Sequence, residues 1–177
     1  MVGSQLRFVA SAYTTAQSMI RFADQKAEML FVIFGILMAL LSGRVDVVVR
    51  ALRDPARVSP LAVAAFLLSC VFLGLMFAAL SFAVATMHPR FAPREGPYSG
   101  GRRRLYWCHD VLGRDREAYL AAVRGLGDDE VLEEMAHELY DVQAIERAKF
   151  GEVTKAVRIS AWGVAVWALS FVLSFTV

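Results

Sequence analysis

The residues best suited to ligand binding form one short stretch near the middle of the chain. Arg102, Arg103 and Arg104 stand directly before a segment that carries Tyr106 and Trp107. Guanidinium groups bind phosphate through paired hydrogen bonds, and aromatic rings stack on nucleobases. An arginine run near a membrane also contacts anionic lipid headgroups or simply faces water, and those roles are the commoner ones. Residue types alone therefore leave both interpretations open.

No other pattern in the sequence favours catalysis or a metal site. It contains no phosphate-binding glycine loop, no HExxH motif and no nucleophile elbow. Cys108, His109 and Asp110 are adjacent, so they cannot all face one ion from a regular helix or strand. His137 and Asp141 stand four residues apart, where a hydrogen-bonded or solvated pair is a simpler interpretation than a ligand pair. We therefore expect no enzyme, no catalytic residue, no metal and no cofactor.

Three long apolar stretches predict a membrane protein. The apolar fraction of the chain is 57%, which is above the average of soluble proteins. The first stretch, residues 27–43, continues a charged helix and reaches roughly 25 Å, just enough for a thin bilayer. Residues 61–87 and 159–177 carry no charged residue and are each long enough to cross a membrane.

The sequence thus predicts an all-α, mainly helical membrane protein, with a small cytoplasmic helical domain between the second and third transmembrane helices. Its connector between the first two spans has room for a short interfacial helix or turn at residues 45–52, since Pro55 and Pro60 limit anything longer. The predicted segments, in chain order, are an N-terminal amphipathic helix (1–26), transmembrane helix 1 (27–43), a periplasmic connector (44–60), transmembrane helix 2 (61–87), the cytoplasmic domain (88–158) and transmembrane helix 3 (159–177).

Capping residues predict two helices in the cytoplasmic domain. Asp115 is expected to cap a short helix that ends near Gly125, and Asp128 or Asp129 to cap a second one. Because no proline follows, we expect this second helix to continue through the third span as a single lever. The aromatic residues 105–111 fit either a short strand or the start of a helix.

The distribution of basic residues predicts the orientation in the membrane. Fifteen of the 19 Lys and Arg residues lie before the first span or between the second and third, against four in the 44–60 connector. This bias places the polar domain in the cytoplasm. The net charge of only +2 gives no reason to expect a nucleic-acid partner.

Charges and apolar stripes outside the spans predict assembly. Asp24 and Lys26 sit at the expected lipid boundary, where a paired charge fixes the register of a helix and an unpaired one is costly. The alternative is that both side chains face water. Two apolar stripes outside the lipid need partners, and three spans cannot enclose an aqueous path, so we expect a homo-oligomer. The stripes carry Tyr13, Ile20, Val131 and Leu139.

The order of these segments resembles that of the small transmembrane effectors of Pycsar antiphage systems. In that family a helix with an Ala-Asp-x-Lys-Ala motif enters the first span, and residues 23–27 match it here. After the second span the family has an aromatic segment with an acidic residue and then a Tyr-Leu helix, which correspond to residues 105–110 and 117–120. The His-Asp step at residues 109–110 departs from the small or glycine-containing step of the family.

The resemblance extends to the end of the chain. An acidic helix and an Ile-x-x-x-Lys-aromatic step lead into the last span, here Ile145, Lys149 and Phe150. Residues 17–177 are covered in all, although each motif is short and the order carries most of the information. The resemblance adds Lys149 to Asp24 and Lys26 as a residue for assembly or signal transfer.

The resemblance implies a sensor and an effector in one chain. A partner pyrimidine cyclase makes a cyclic pyrimidine mononucleotide, cCMP or cUMP, and the effector binds it and impairs the bacterial inner membrane, causing abortive infection. The candidate ligand-binding residues are then Arg102, Arg103, Arg104, Tyr106 and Trp107. Two alternatives remain, a structural or scaffolding membrane protein without a nucleotide ligand, and a channel or transporter subunit. Residues 29–43 of the first span and all residues of the other two spans carry no charge, which counts against the second alternative.

Overall fold

The computed structural model describes residues 2–53, 59–88, 105 and 111–175. Within this part of the chain the ordered structure is entirely helical, as the sequence predicts, and contains no strand. Of the aromatic segment at 105–111, Leu105 lies in a bend and Val111 in a helical turn. The elements are α1 (Val2–Arg53), α2 (Pro60–Met87), α3 (Arg116–Arg124) and α4 (Asp128–Leu173).

Three of these helices, α1, α2 and α4, are long and apolar enough to cross a membrane. The first two predicted transmembrane stretches lie within α1 and α2, and α4 includes residues 159–173 of the third. Helix α2 begins where expected, because Pro60 occupies its first turn and the Ser59 hydroxyl accepts the backbone N–H of Ala62 at 3.1 Å. Where lipid begins and ends along each helix stays a prediction.

Helix α1 is longer than the predicted first span. It passes Gly43 without a break and continues to Arg53, so the helix expected as one option for residues 45–52 is part of α1. No proline occurs before Pro55, and Val48 remains buried beyond the predicted end of the span. Continued packing and the absence of a helix-breaking residue together explain the extension.

Helix α3 confirms its predicted cap, whereas the cap predicted for α4, Asp128 or Asp129, is wrong because both residues lie inside the helix. The Asp115 carboxylate accepts the N–H of Glu117 at 3.1 Å, and α3 ends just before Gly125. At the start of α4, Asp128 is the first helical residue and not the cap. There the Glu130 carboxylate accepts the N–H of Gly127 at 3.1 Å, which is one half of a capping box.

Helix α4 confirms the prediction of one uninterrupted helix between the polar domain and the third span. It contains 46 residues and reaches roughly 70 Å at 1.5 Å per residue. Neither Gly151 nor Gly163 breaks it, and it ends at Leu173, slightly short of the predicted end. One continuous helix therefore includes residues of both regions.

The chain divides into two compact units. We call residues 1–21 and 89–148 the polar unit, and residues 22–88 and 149–177 the membrane unit. In the polar unit, the four residues predicted to form apolar stripes are half-buried within the chain itself, so part of their surface already has a partner. They are Tyr13, Ile20, Val131 and Leu139.

The membrane unit is held together mainly by small and aliphatic side chains. Small residues let helices approach closely, which is how helices associate where lipid removes the hydrophobic driving force. The hydroxyl oxygens of Ser69 and Ser170 lie 2.8 Å apart, and both lie within hydrogen-bond distance of the Ala65 carbonyl oxygen. The core comprises Ala27, Leu30, Phe34, Leu41, Phe72, Met76, Ala79, Ala83, Val153 and Ala156.

Candidate functional site

An ion pair joins the first and last long helices within the membrane unit. The Lys149 ammonium group donates to both carboxylate oxygens of Asp24, at 2.6 and 2.8 Å. The Lys149 side chain is only 8% exposed, whereas the Asp24 side chain is 31% exposed. The contact ties α1 to α4 across a sequence separation of 125 residues.

Small neighbours explain how this pair forms. Ala23 and Ala27 flank Asp24 on α1 and are fully buried, and Val153 lies buried one turn beyond Lys149 on α4. Such residues allow the two helices to come close enough for a direct contact between charged groups. Because Lys149 is buried, removal of Asp24 would leave a positive charge with little access to water.

Lys26 behaves differently from the two residues with which it was predicted to act. Its ammonium group lies 4.4 Å from the centre of the Phe22 ring, one turn earlier on the same helix. This is a cation–π contact within α1 and does not join two helices. The structure thus brings together Asp24 and Lys149, a pairing that the sequence did not reveal, and leaves Lys26 outside it.

The polar unit contains a small cavity with mixed walls beside Leu105. It has a volume of about 280 Å³ and is partly open to solvent. Arg114, Glu130 and Glu134 contribute charged groups, and Leu105 and Leu126 contribute apolar surface. Arg114 and the two glutamates come from separate segments, and no local motif in the sequence connects them.

A contact from α3 helps to hold one wall of this cavity. The Tyr119 hydroxyl donates to the backbone carbonyl oxygen of Leu105 at 3.3 Å, and Leu105 is buried. Tyr119 belongs to the predicted Tyr-Leu helix, which is α3. Helix α3 therefore anchors Leu105, which lies between the arginine run and the aromatic pair in the sequence.

A second, more open groove of about 410 Å³ lies elsewhere in the polar unit. Its walls are mostly apolar, and the exposed ring of Phe8 lies at its edge. The other lining residues are Ser4, Gln5, Val9, Leu132 and Ala136. None of these lining residues is charged, so the groove offers no ion-pair partner for a phosphate.

The ligand-binding residues predicted from the sequence lie outside the described residues, and their role stays a prediction. They are Arg102, Arg103, Arg104, Tyr106 and Trp107, and the same applies to Cys108, His109 and Asp110. Of the predicted His137–Asp141 pair, His137 has its ring nitrogen 3.7 Å from the Glu133 carboxylate. Among the described residues, no three His, Cys, Asp or Glu side chains are placed to hold a metal ion.

Comparison with known proteins matches nearly the whole chain to one kind of domain. The family model of the Pycsar effector protein domain (PycTM) matches residues 8–174. The matched range includes α2, α3 and α4 completely and all of α1 except its first turns. No curated protein and no solved structure shows significant similarity to the chain.

Proposed function

The chain belongs to the Pycsar effector family, and from that premise we propose that it is a sensor and an effector in one membrane protein. It binds cCMP or cUMP made by a partner pyrimidine cyclase. Binding changes the packing of its helices and impairs the bacterial inner membrane, so that an infected cell stops supporting the phage. The family is not a known enzyme class, and the proposal includes no catalytic step.

The Asp24–Lys149 pair is the observation that best supports coupling between sensing and membrane damage. It joins α1 and α4, the two helices that contribute residues to both the polar unit and the membrane unit. A ligand shifts an equilibrium between two states only to the extent that it binds them with different affinity. A rearrangement that moves one helix against the other must alter or break this contact, so we propose the pair as a point of control.

The proposed orientation places the polar unit in the cytoplasm, where a cytoplasmic nucleotide can reach it. The basic residues before the first span and between the second and third outnumber those of the connector by fifteen to four. Arg102, Arg103 and Arg104 contribute to this excess. In our proposal they contact the phosphate of the ligand, and Tyr106 and Trp107 stack on its base.

We also propose that the active form is a homo-oligomer. Among the described residues outside the predicted spans, Phe8, Leu112 and Tyr140 remain largely open to solvent in a single chain, with exposed fractions of 73%, 84% and 74%. Exposed groups of this size favour a protein partner. Protein solubilised in detergent should therefore run as a dimer or larger in light scattering, and a monomer at micromolar concentration with and without ligand would contradict this part.

Direct titration tests the sensing step. The full chain is purified in lipid nanodiscs and titrated with cCMP, cUMP and, as a control, cAMP. We expect saturable binding of a pyrimidine nucleotide and none of cAMP at the same concentrations. The absence of binding to both cCMP and cUMP would favour a structural membrane protein without a nucleotide ligand.

Arginine variants test the proposed phosphate contacts. Replacement of Arg102, Arg103 or Arg104 by Gln should weaken nucleotide binding by roughly tenfold to a hundredfold, because a hydrogen bond to a charged group contributes about 1.5–3 kcal/mol. The oligomer without ligand should stay intact. If all three variants bind as tightly as the parent, the phosphate lies elsewhere.

A further inference from the structure

We infer that the cavity beside Leu105 holds the base of the nucleotide and selects cytosine over uracil, so that cCMP is the preferred ligand. The inference rests on the proposed function and adds a location and a base preference to it. The charged groups that line the cavity are those of Arg114, Glu130 and Glu134, all of them half-buried. The contacts proposed above for the arginine run, Tyr106 and Trp107 form no part of this inference.

The size and walls of the cavity suit a planar base. Its volume of about 280 Å³ is close to the lower end of small-molecule sites, about 300 Å³. Leu105 and Leu126 provide apolar surface, while Ala122 and Gly125 leave room because their side chains are small or absent. A cavity of this size can admit one ring with polar groups along an edge.

The carboxylates are held in place by helix α4. Glu130 accepts the backbone N–H of Gly127 at 3.1 Å, which fixes it at the start of the helix. Glu134 follows one turn later on the same face. Among the described residues Glu134 has no hydrogen-bond or ion-pair partner, although it is half-buried and lines the cavity. A carboxylate in this position is an acceptor that a ligand can satisfy.

The donor and acceptor pattern of the cavity matches cytosine. A carboxylate only accepts hydrogen bonds, and a guanidinium group only donates them. Cytosine presents an amino donor at N4 beside two acceptors, N3 and O2, so the amino group can donate to Glu134 while both acceptors receive the Arg114 fork. Uracil presents an acceptor at O4 in place of the amino group, which would face the carboxylate.

This mismatch predicts a clear preference. A site built to pair with a particular polar group rejects an analogue that leaves a buried group unpaired. The discrimination ratio between ligand and analogue reaches at least about 10⁴ in closed sites. The cavity here is partly open to water, so we expect a smaller ratio. The parent protein should bind cCMP at least roughly tenfold more tightly than cUMP.

A pair of isosteric substitutions tests the role of Glu134. Glu134→Gln keeps the shape of the side chain but adds a donor, which uracil O4 can accept. The variant should lose most of the preference for cCMP over cUMP while it remains folded by circular dichroism. Glu133→Gln is the matched control, because Glu133 is the preceding residue of α4, is exposed and contacts His137 outside the cavity. It should keep the parent ratio.

A second pair of variants tests the location without changing charge. Ala122→Leu adds bulk at a residue that lines the cavity and should weaken cCMP binding by roughly tenfold or more, because the base no longer fits. Ala118→Leu places the same group one turn earlier on α3 at an exposed position and should bind like the parent.

The outcomes separate this inference from the proposed function. A parent protein that binds cCMP and cUMP equally, or cUMP more tightly, would overturn the base preference while sensing stands. Glu134→Gln and Glu133→Gln with the same cCMP-to-cUMP ratio, or Ala122→Leu with parent affinity, would place the base elsewhere. A parent protein that binds neither nucleotide would overturn the proposed function and this inference together.

Discussion

The two units of the molecule are packed in different ways. In the membrane unit Ala27, Phe72 and Ala156 are buried between helices, and a buried lysine and a serine pair add polar contacts at fixed positions. In the polar unit, by contrast, α3 buries none of its residues fully, and two cavities open beside the helices. Densely packed regions have few alternative arrangements, whereas loosely packed ones open and adjust at low cost.

This difference assigns a role to each unit in the proposed mechanism. The polar unit has the open space and the charged groups that a small ligand requires. The membrane unit has a close-packed core, which favours discrete rearrangement over gradual deformation. We therefore expect ligand binding to reorganise the polar unit, and the continuous helices α1 and α4 to transmit the change.

The largest expected effect comes from a break in helix α4. Ala156 is fully buried in the membrane unit, and Ala156→Pro would remove a helical hydrogen bond and introduce a clash, at a cost of about 3 kcal/mol or more. Nucleotide binding in the polar unit should survive, but ligand-induced membrane damage should be lost. Titration and liposome dye leakage are measured on the same preparation.

A conservative change at the same position is the control. Ala156→Ser keeps the helix intact and adds only a hydroxyl group, so it should retain most of the ligand-induced leakage. If Ala156→Pro inserts into membranes and still leaks when nucleotide is added, α4 does not transmit the signal.

The next effect concerns the buried ion pair. Asp24→Ala leaves the Lys149 charge buried without its partner, which costs about 3–5 kcal/mol in a fully buried pair and about 2–4 kcal/mol here because Asp24 is partly exposed. Urea unfolding in detergent should show this loss of stability. The variant should also be less toxic than the parent to bacterial cells that express it, with no reduction in the amount of protein found in the membrane fraction.

A double variant sharpens this test. Asp24→Ala combined with Lys149→Met removes both charges and should recover much of the lost stability, because no uncompensated charge remains. A single variant as stable and as toxic as the parent would show that the contact has no structural or functional importance.

The smallest expected effect is at Lys26. Its cation–π contact with Phe22 lies within one helix, and such contacts contribute about 0.5–1 kcal/mol at exposed sites. Lys26→Ala should therefore lower stability by no more than that amount and weaken toxicity less than Asp24→Ala does. A reduction as large as that of Asp24→Ala would indicate a partner for Lys26 in another subunit.

The ends and the continuity of the helices are the features that the local sequence determines. The ends of α2 and α3 follow from Ser59, Pro60, Asp115 and Gly125, since a cap or a helix breaker acts on its immediate neighbours. The continuity of α4 follows from the absence of proline. The extension of α1 to Arg53 follows from the same rule, applied almost three turns beyond the end that the hydropathy pattern suggested.

Contacts between distant segments could not be predicted from a local sequence pattern. Asp24 and Lys149 were each identified as residues of interest, but nothing local pairs residues that lie 125 positions apart. The cavity beside Leu105 depends in the same way on side chains from three segments, including Arg114 and Glu134. Opposite charges near the lipid boundary of two different helices were the one available signal for the ion pair.

The most direct test of ligand-gated membrane damage is dye leakage from liposomes that contain the full chain and trapped fluorescent dye. Leakage is recorded before and after addition of cCMP, cUMP or cAMP. The proposed function predicts intact liposomes without ligand and with cAMP, and rapid leakage after addition of the pyrimidine nucleotide that the protein binds. Leakage that is already complete without ligand, or liposomes that stay sealed at saturating cCMP and cUMP, would contradict it.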